Sequence, residues 1–519
     1  MSSIESAPRG LIALAAATPP DRDRYVDFLR GFSILVVVLG HWLIAVVEWR
    51  DGVIEGYSAL EVIDGLWILT WVFQVMPLFF FVGGFSNLRS WRSGRREGGD
   101  YARFIHGRMV RLLRPTLVFL GLGLAVTVTL DALNVADNVV FPASELITRP
   151  LWFLGVYMMV VALAPAMIAL HERLGVGVVG LLVVLAVGVD VIRFGFDVNA
   201  VGYANYAIVW LLAHQLGFIY ADGRLSARGG RWMAPAGLVA MSALVGLGPY
   251  PGSMVGLSTD EFSNMDPPTL AIVALIFWQA GAAMVLRSRV SAWLRRVRVW
   301  AGVIYVNSVI MTMFLWQLAV MLIGIGILYP LGWPQPEAGT PAWWALRPVW
   351  ILSLVLILGG FVAALGRFEQ RGFGRKAAVG ATGSAPAAAL AATLLVWGVL
   401  GFALGGMHQL FSTTGTELLV FRRNPFQNIL HLALGGVVLK ASLRSPAAAR
   451  PALIGAGVTL AVLAAVGTLW ANDPEANRLA ANSADNALHA TLALFTLLLG
   501  SRVKGQESRA GRQQLIPGE

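Results

Sequence analysis

The stretch that decides the fold is RYVDFLRGFSILVVVLGHWL, residues 24–43. It begins with charged residues and continues into an apolar segment in which His41 is the first ionisable side chain after Arg30. A helix needs about twenty apolar residues to cross a bilayer. Runs of that kind recur along nearly the whole chain. The sequence therefore predicts an all-α integral membrane protein.

Composition agrees with this prediction. Of the 519 residues, 57% are hydrophobic and 13% are charged, whereas a soluble globular chain carries roughly 25% charged residues. The formal net charge of +10 would suggest nucleic-acid binding in a soluble protein. Here the arginines lie in short loops between apolar runs, which favours contact with a lipid bilayer and predicts no nucleic-acid partner. The chain has no cysteine, which excludes disulfides, thiolate metal sites and a cysteine nucleophile.

Ten membrane spans are predicted before residue 370. They are Phe32–Val47, Leu66–Phe85, Pro115–Leu133, Leu151–Leu170, Val176–Phe194, Tyr203–Tyr220, Ala234–Leu247, Thr269–Leu286, Val309–Tyr329 and Val349–Leu365.

Loop charge predicts the orientation of these spans. Arginines precede the first span and fill the loops that follow the second, sixth, eighth and tenth spans, whereas acidic residues dominate the loops between them. Positively charged loops stay on the cytoplasmic side. We therefore expect a multi-pass protein of the cell inner (plasma) membrane with both termini in the cytoplasm.

Composition also predicts a domain division. Residues 1–370 would form the ten-helix domain, and the Gly/Ala/Ser-rich residues 371–386 a cytoplasmic linker. Residues 387–503 would form a four-helix membrane module, and residues 504–519 a cytoplasmic tail. The four spans of the module are Ala387–Leu404, Ile429–Ala441, Leu453–Leu469 and Asn486–Leu499.

The second module contains a short internal repeat, NPFQNILH at 424–431 and NSADNALH at 482–489. An Asn and a His recur in it at the same spacing, and each copy opens a span, so the module is predicted to consist of two related helical hairpins. An Asn at a helix start caps backbone N–H groups, and Asn or His inside a span can hydrogen-bond between helices. The alternative is a ligand or metal role for His431 and His489.

Within the first span, His41 follows Arg30 by eleven residues. At about 100° and 1.5 Å per residue, the two side chains lie within about 20° of the same face and roughly 16 Å apart along the axis. Asp27 lies one turn before Arg30 and can pair with it. An ionisable residue at membrane depth is costly, which makes His41 a candidate functional residue and, as neutral imidazole, a candidate general base. The alternative is a hydrogen bond to a neighbouring helix.

The Arg-x10-His pattern and its surroundings resemble the opening segment of the acyltransferase 3 family of integral membrane acyltransferases. Three further motifs resemble the family in the same order along the chain. They are FFFVGGF at 79–85, GRMVRLLRP at 107–115 and LWFL at 151–154. The resemblance covers about residues 22–370 and implies a bundle of about ten helices, here followed by the four-helix module.

The resemblance implies an acyltransferase of the EC 2.3.1 class, which transfers groups other than aminoacyl groups. The donor would be acyl-CoA, with acetyl-CoA expected, and the acceptor a hydroxyl of a carbohydrate, glycolipid or other cell-envelope glycoconjugate. His41 would be catalytic, with Arg30 in the same motif. An essential Arg-x-x-Arg pair of the third helix matches Arg108 and Arg111, although Arg111 and Arg114 fit the spacing too, so all three are candidates for donor binding.

These residue types suit that chemistry. The phosphates of CoA need several guanidinium donors, and an imidazole can deprotonate an attacking hydroxyl or, less favourably, carry the acyl group itself. No metal is predicted. Two positions depart from the family pattern: Gly83 stands where Ser is frequent, and Gln317 where His is frequent.

Other polar residues allow weaker expectations. Asp190 and Arg193 are expected to form an ion pair, with acceptor binding as the alternative. His106 and His171 are expected in solvated loops.

The C-terminal module resembles a small four-helix bacterial membrane family of unknown function, which implies a fold and no activity. Its fusion to the first domain suggests a scaffold or a role in binding a membrane partner through residues 387–503. The competing reading of the whole chain is a lipid or glycolipid transporter or flippase with His41 and Arg30 in its path. Transporters are often built from inverted repeats, and the first ten spans show none.

Overall fold

The computed structural model describes residues 10–50, 53–370, 384–413, 415–444, 446–471, 473 and 475–513. Residues 371–383 of the predicted linker and residues 514–519 of the predicted tail lie outside this part. The described chain is helical almost throughout, with two short antiparallel hairpins. Eleven helical stretches within it are long and apolar enough to cross a membrane. The prediction of an all-α membrane protein is confirmed.

The described helices before residue 371 are α1 (Leu11–Ala16), α2 (Arg24–Ile44), α3 (Ala59–Val62), α4 (Thr70–Phe73), α5 (Met76–Arg96), α6 (Tyr101–Ala132), α7 (Asp137–Thr148), α8 (Leu151–Leu174), α9 (Gly177–Gly195), α10 (Asn205–Ala221), α11 (Ala227–Leu247), α12 (Leu270–Trp293), α13 (Val297–Ser308), α14 (Ile310–Leu328) and α15 (Pro341–Gln370). Short 3-10 helices cover Leu66–Leu69 and Asn199–Ala204. Strands β1 (Ala45–Arg50) and β2 (Val53–Ser58) form the first hairpin.

Each of the fourteen predicted spans overlaps at least one helix. Three of those helices are not among the eleven: α10, which has 17 residues, and two helices of the second module, Pro425–Ser442 and Ser483–Gln513. The first predicted span runs too far. Its helix ends at Ile44 and the chain turns into β1, where Val46 and Val47 are β-branched residues that suit a strand.

The second predicted span is interrupted, because Gln74 and Val75 separate α4 from α5. The Nε2 of Gln279, on α12, donates to the backbone carbonyls of Val72 (3.2 Å) and Gln74 (2.8 Å). Carbonyls at the end of a broken helix need such partners inside a membrane. The side chain of Gln279 therefore satisfies the backbone carbonyls that the break between α4 and α5 leaves without helical partners.

The FFFVGGF motif marks a close crossing of α5 and α10. A Cβ at Gly84 would lie 1.9 Å from the carbonyl oxygen of His214, and one at Gly217 would lie 2.1 Å from the carbonyl oxygen of Phe81. Only glycine allows two helix backbones to approach this closely. The two glycines therefore fix where α5 and α10 meet.

The second module contains α16 (Ala385–Gly405), α17 (Pro425–Ser442), α18 (Pro446–Trp470) and α19 (Ser483–Gln513), with strands β3 (Thr416–Leu418) and β4 (Phe421–Arg423). Helix α19 thus continues into the predicted tail. As predicted, α16 packs on α17 and α18 on α19 as two hairpins.

The repeat explains how the hairpins join. Asn424 caps α17 by accepting from the backbone N–H of Gln427, which confirms the predicted capping role. Its Nδ2 also donates to the carbonyl of Arg478 (2.9 Å), and the Nδ2 of Asn482 donates to the carbonyl of Val420 (2.8 Å). Each cap therefore holds the segment that precedes the other repeat. His431 and His489 are buried, with ring centroids 5.2 Å apart.

Contacts divide the chain into two compact units, and each is described by itself. The first unit comprises Met1–Arg89 and Ala166–Gln370, and the second comprises Ser90–Pro165 and Arg371–Glu519. The division by sequence at residue 370 stays a prediction about domains, and the contact units follow different limits.

Candidate active site

The start of α2 holds Arg30 in place within the first unit. Asp23 caps the helix through the backbone N–H groups of its first turn. Asp27 accepts from Arg22 Nε (2.6 Å) and from Arg30 Nη1 (3.2 Å), so the predicted pairing of Asp27 with Arg30 is confirmed. Arg30 Nη2 donates to Ser86 Oγ of α5 (2.7 Å). These contacts hold the guanidinium of Arg30 in one orientation and connect α2 to α5.

Near the other end of α2, His41 Nδ1 lies 3.1 Å from Gln317 Oε1, on α14. The amide orientation of Gln317 follows from its second contact, since its Nε2 donates to the carbonyl of Phe314 (3.2 Å) and a carbonyl can only accept. Its oxygen therefore faces His41, and an amide oxygen also only accepts. In a neutral His41 this contact favours the proton on Nδ1, so that Nε2 is the ring nitrogen without a proton.

The adjoining residue locks the same two helices together. Trp42 Nε1 donates to the backbone carbonyl of Gln317 (2.9 Å), and both Trp42 and Gln317 are fully buried. His41 itself is only partly buried. A partly accessible imidazole beside a rigid helix contact can meet a substrate without moving.

The predicted donor-binding arginines lie in the second unit. There the end of α5 and the start of α6 enclose a cavity of about 410 Å³. Four arginines line it: Arg95, Arg103, Arg108 and Arg111. Two of these guanidinium groups lie over aromatic rings, Arg95 over Trp91 (5.8 Å) and Arg108 over Phe104 (5.7 Å).

Arg114 does not line this cavity. The arginines that were expected to fill the loop after the second span lie in helices instead, because α5 continues to Arg96 and α6 begins at Tyr101. Asp100 caps α6 by accepting from the backbone N–H of Arg103 (2.9 Å). The turn between the helices is therefore short, and the helices bring the arginines together.

Three histidine and carboxylate expectations need correction. His106 lies within α6 and His171 within α8, and His171 is buried at 3% exposure with Asp222 (2.9 Å) and Gln215 (2.6 Å) as partners. Asp190 does not form the expected ion pair with Arg193. Its carboxylate accepts from Asn205, Tyr250 and the backbone of Leu270, with distances of 2.9–3.0 Å. Arg193 lies over the rings of Phe194 and Phe262 instead.

Among the described residues, one group offers three potential metal ligands close together, Asp131, Asp137 and His408 of the second unit, whose ligand atoms lie within 4.8 Å of one another. The imidazole Nε2 of His408 already contacts both carboxylates, at 3.4 Å and 3.2 Å. The contacts of both carboxylates with a buried imidazole therefore account for the proximity of the three side chains.

Sequence reasoning singled out His41, Arg30, Arg108 and Arg111, but it treated Gln317 only as a departure from a family pattern. The signal that could have identified Gln317 is a polar residue in the otherwise apolar run MFLWQLAV. Such a residue needs a partner inside the bundle. Ser86 was missed because a serine in a helix is common and its partner lies on another span.

Comparison with known families gives two matches. The model of an acyltransferase domain matches residues 23–366, and the model of a domain of unknown function matches residues 385–501. No curated protein and no solved structure matched the chain. The first model covers well over half of the chain and includes α2, α5, α6 and α14. The chain therefore belongs to the acyltransferase 3 family, fused to a second membrane domain, and is an acyltransferase.

Proposed function

We propose that this acyltransferase moves an acetyl group from acetyl-CoA to a hydroxyl of a carbohydrate, glycolipid or other glycoconjugate of the cell envelope. The observation that carries the proposal is the contact of His41 Nδ1 with the amide oxygen of Gln317, which orients the imidazole of a partly buried intramembrane histidine and makes it a candidate base. A base of this type is suited to activating a hydroxyl near pH 7.

In the proposed step, His41 Nε2 takes the proton of the acceptor hydroxyl while its oxygen attacks the thioester carbonyl. A C–O bond forms, the C–S bond breaks, and CoA leaves as a thiolate that recovers the proton from the imidazolium. The products are an acetyl ester and CoA. The proposed step uses direct attack rather than an acetyl-His intermediate.

The donor phosphates are proposed to bind the arginine cavity, with Arg108 and Arg111 as ligands. Guanidinium groups pair bidentately with phosphate and keep their charge at every relevant pH. The aromatic rings under Arg95 and Arg108 support their orientation. Arg114 remains a candidate from the spacing, although the cavity does not include it. Arg30 is proposed to position the start of α2, the helix that carries His41, through its contacts with Asp27 and Ser86.

We also propose that the protein lies in the cell inner (plasma) membrane with both termini in the cytoplasm. The arginines at the helix ends support this orientation. We also propose that residues 1–370 and residues 387–503 are separate domains and that the second domain binds a membrane partner.

The test uses purified full-length protein in lipid nanodiscs. Radiolabelled acetyl-CoA is supplied together with an envelope fraction from cells that lack the protein, and ester-linked label is identified by mass spectrometry. We expect acetyl-CoA to support transfer. A protein that transfers no label from acetyl-CoA or from longer acyl-CoA donors would contradict the proposal.

A further inference from the structure

Three polar side chains meet in the second unit, near the end of α6 that lies farther from the arginine cavity. Asp131 is next to the last residue of α6, Asp137 is the first residue of α7, and His408 lies just after the end of α16. Asp131 follows Arg111 of the cavity along the same helix, and the two are separated by about 30 Å along the helix axis. The cluster is therefore distinct from the candidate donor site.

The segment after α16 is held against α6 and α7. The backbone carbonyl of Met407 accepts from the hydroxyl of Thr127 on α6 (3.0 Å). Gly406 has a φ of 65°, and a Cβ there would lie 2.6 Å from Ser144 Oγ on α7, so this position favours glycine. The two residues before His408 therefore fix where its side chain starts.

The imidazole of His408 faces both carboxylates with one nitrogen atom. Its Nε2 lies 3.2 Å from Asp137 Oδ1 and 3.4 Å from Asp131 Oδ1. Zn²⁺ binds nitrogen and oxygen ligands at about 2.0–2.2 Å, so neighbouring ligand atoms of a tetrahedral ion are about 3.3–3.6 Å apart. The two separations in the cluster are close to that spacing.

A proton on the imidazole cannot satisfy both carboxylates. Nε2 carries at most one hydrogen, and its hydrogen bond goes to Asp137, which leaves Asp131 Oδ1 without a hydrogen-bond partner. Within the described part of the chain, neither carboxylate pairs with an arginine or a lysine. Two carboxylates that share a site repel each other. A divalent cation would balance both negative charges and bind the ring nitrogen as well.

An ion can reach the cluster from solvent. The side chains of Asp137 and Asp131 are 70% and 34% exposed, whereas His408 is buried. Gln409 Nε2 donates to Asp137 Oδ2 (3.3 Å), and the ring of Phe141 lies edge-on to the imidazole at 6.0 Å. Neighbours of this kind orient the ligands of metal sites.

The types of ligand atom select the class of ion. One imidazole nitrogen and two carboxylate oxygens suit a divalent transition-metal ion such as Zn²⁺, whereas Mg²⁺ and Ca²⁺ prefer sites built from oxygen alone. The sequence predicts no metal, because the three residues come from three separate segments of the chain and only the fold brings them together.

We propose that Asp131, Asp137 and His408 bind one divalent transition-metal ion through His408 Nε2 and one carboxylate oxygen of each aspartate. The ion takes the place of a proton on Nε2, as metal ligands must be deprotonated. It links the ends of α6 and α7 to the segment after α16, and so joins the C-terminal module to helices of the acyltransferase domain. The site does not depend on acyl transfer, and its test needs no acyl donor or acceptor.

The test measures zinc binding by the purified full-length protein in nanodiscs, after treatment with EDTA and removal of the chelator. Isothermal titration calorimetry with Zn²⁺ should show one site per chain. Asp131→Asn, Asp137→Asn and His408→Gln should each weaken that site about a hundredfold, because even residues that only orient metal ligands contribute about 10–100-fold to metal affinity. Zn²⁺ should also raise the thermal midpoint of the wild-type protein and of none of these variants.

Glu417→Gln is the matched control. Glu417 is an exposed carboxylate of the same unit, with 66% side-chain exposure, and it lies outside the cluster. This variant should bind zinc as tightly as the wild-type protein. A second measurement needs no variant: X-ray absorption spectroscopy of the zinc-loaded wild-type protein should show one imidazole ligand, with oxygen atoms as the others.

Each outcome decides for or against the site. Loss of zinc binding in the three cluster variants, with retention in Glu417→Gln, would support it. Equal zinc affinity in the wild-type protein and His408→Gln would indicate an adventitious ion only and overturn the proposal. It would also be overturned by a wild-type protein without a zinc site, by a spectrum without exactly one imidazole, or by an equal loss of affinity in Glu417→Gln.

Discussion

His41 and Gln317 lie on different spans and almost three hundred residues apart in sequence, yet their contact sets the proton position on the imidazole. The proposed proton transfer depends on this contact, because the other tautomer would direct an N–H at the acceptor. Arg30 is fixed in a comparable way by Asp27 and Ser86. Both candidate residues, His41 and Arg30, are therefore oriented by hydrogen bonds to neighbouring side chains.

Gln317→Leu should lower kcat about fivefold, since one neutral hydrogen bond is worth roughly 1 kcal/mol, with little change in the KM for acetyl-CoA. Gln317→Glu tests positioning more specifically. A carboxylate beside His41 favours the protonated imidazole, so the rise of kcat with pH should move to higher pH. Identical pH profiles for wild-type protein and Gln317→Glu would show that Gln317 does not act on His41.

Arg108→Ala and Arg111→Ala should each weaken acetyl-CoA binding by roughly one to two orders of magnitude, because a hydrogen bond to a charged group contributes about 1.5–3 kcal/mol. Isothermal titration calorimetry measures this directly. Arg96→Ala is the matched control, since it removes the same charge from the end of α5 and Arg96 does not line the cavity. Equal losses in all three variants would indicate a general charge effect and contradict the assignment of the cavity.

At the scale of helices, the crossing of α5 and α10 leaves no room for a side chain larger than hydrogen at Gly84. Gly84→Ala should destabilise the protein by about 1–3 kcal/mol, because the new methyl group would overlap the His214 carbonyl. The midpoint of thermal unfolding in detergent should fall. Gly180→Ala is the control, because a Cβ there meets nothing within 4 Å. A Gly84→Ala variant as stable as Gly180→Ala would refute the close approach.

Hydropathy was sufficient to predict the long helices, since membrane spans are long and largely apolar, but it did not predict the shorter helices α1, α3, α7 and α13. Features that depend on tertiary contact were not predictable. The break at Gln74 is stabilised by a hydrogen bond from Gln279 of another helix. The carboxylate of Asp190 was expected to pair with Arg193, but it accepts hydrogen bonds from donors in three other segments. The candidate base was visible as an intramembrane His41, whereas its partner was not, because a glutamine gives no sign of what it contacts.

At the scale of the whole molecule, the second unit combines α6 with the C-terminal module. Its contacts are close: the hydroxyl of Thr127 donates to the carbonyl of Met407 (3.0 Å), and a Cβ at Gly155 would lie 2.5 Å from Leu400. The helix that carries Arg108 and Arg111 therefore packs against residues that follow the predicted linker. The module is thereby expected to support the arginine cavity as well as to offer a surface for a partner.

A chain ending at Arg375 tests this role. The ten predicted spans before Arg375 would return the chain to the cytoplasmic side. The shortened chain should therefore insert and retain measurable transfer. It should nevertheless unfold at a lower temperature and bind acetyl-CoA more weakly than the full chain, because α6 loses its contacts with α16. Donor affinity and thermal midpoint equal to those of the full chain would show that the module contributes nothing to the donor site.

The most direct test of the account is the rate of acetyl transfer by His41→Ala in the full-length protein. Loss of a general base costs about 10²–10⁴-fold in rate. We predict a fall of that size in kcat, with acetyl-CoA affinity and thermal stability close to those of the wild-type protein. A well-folded His41→Ala variant that transfers acetyl groups at the wild-type rate would contradict the central claim.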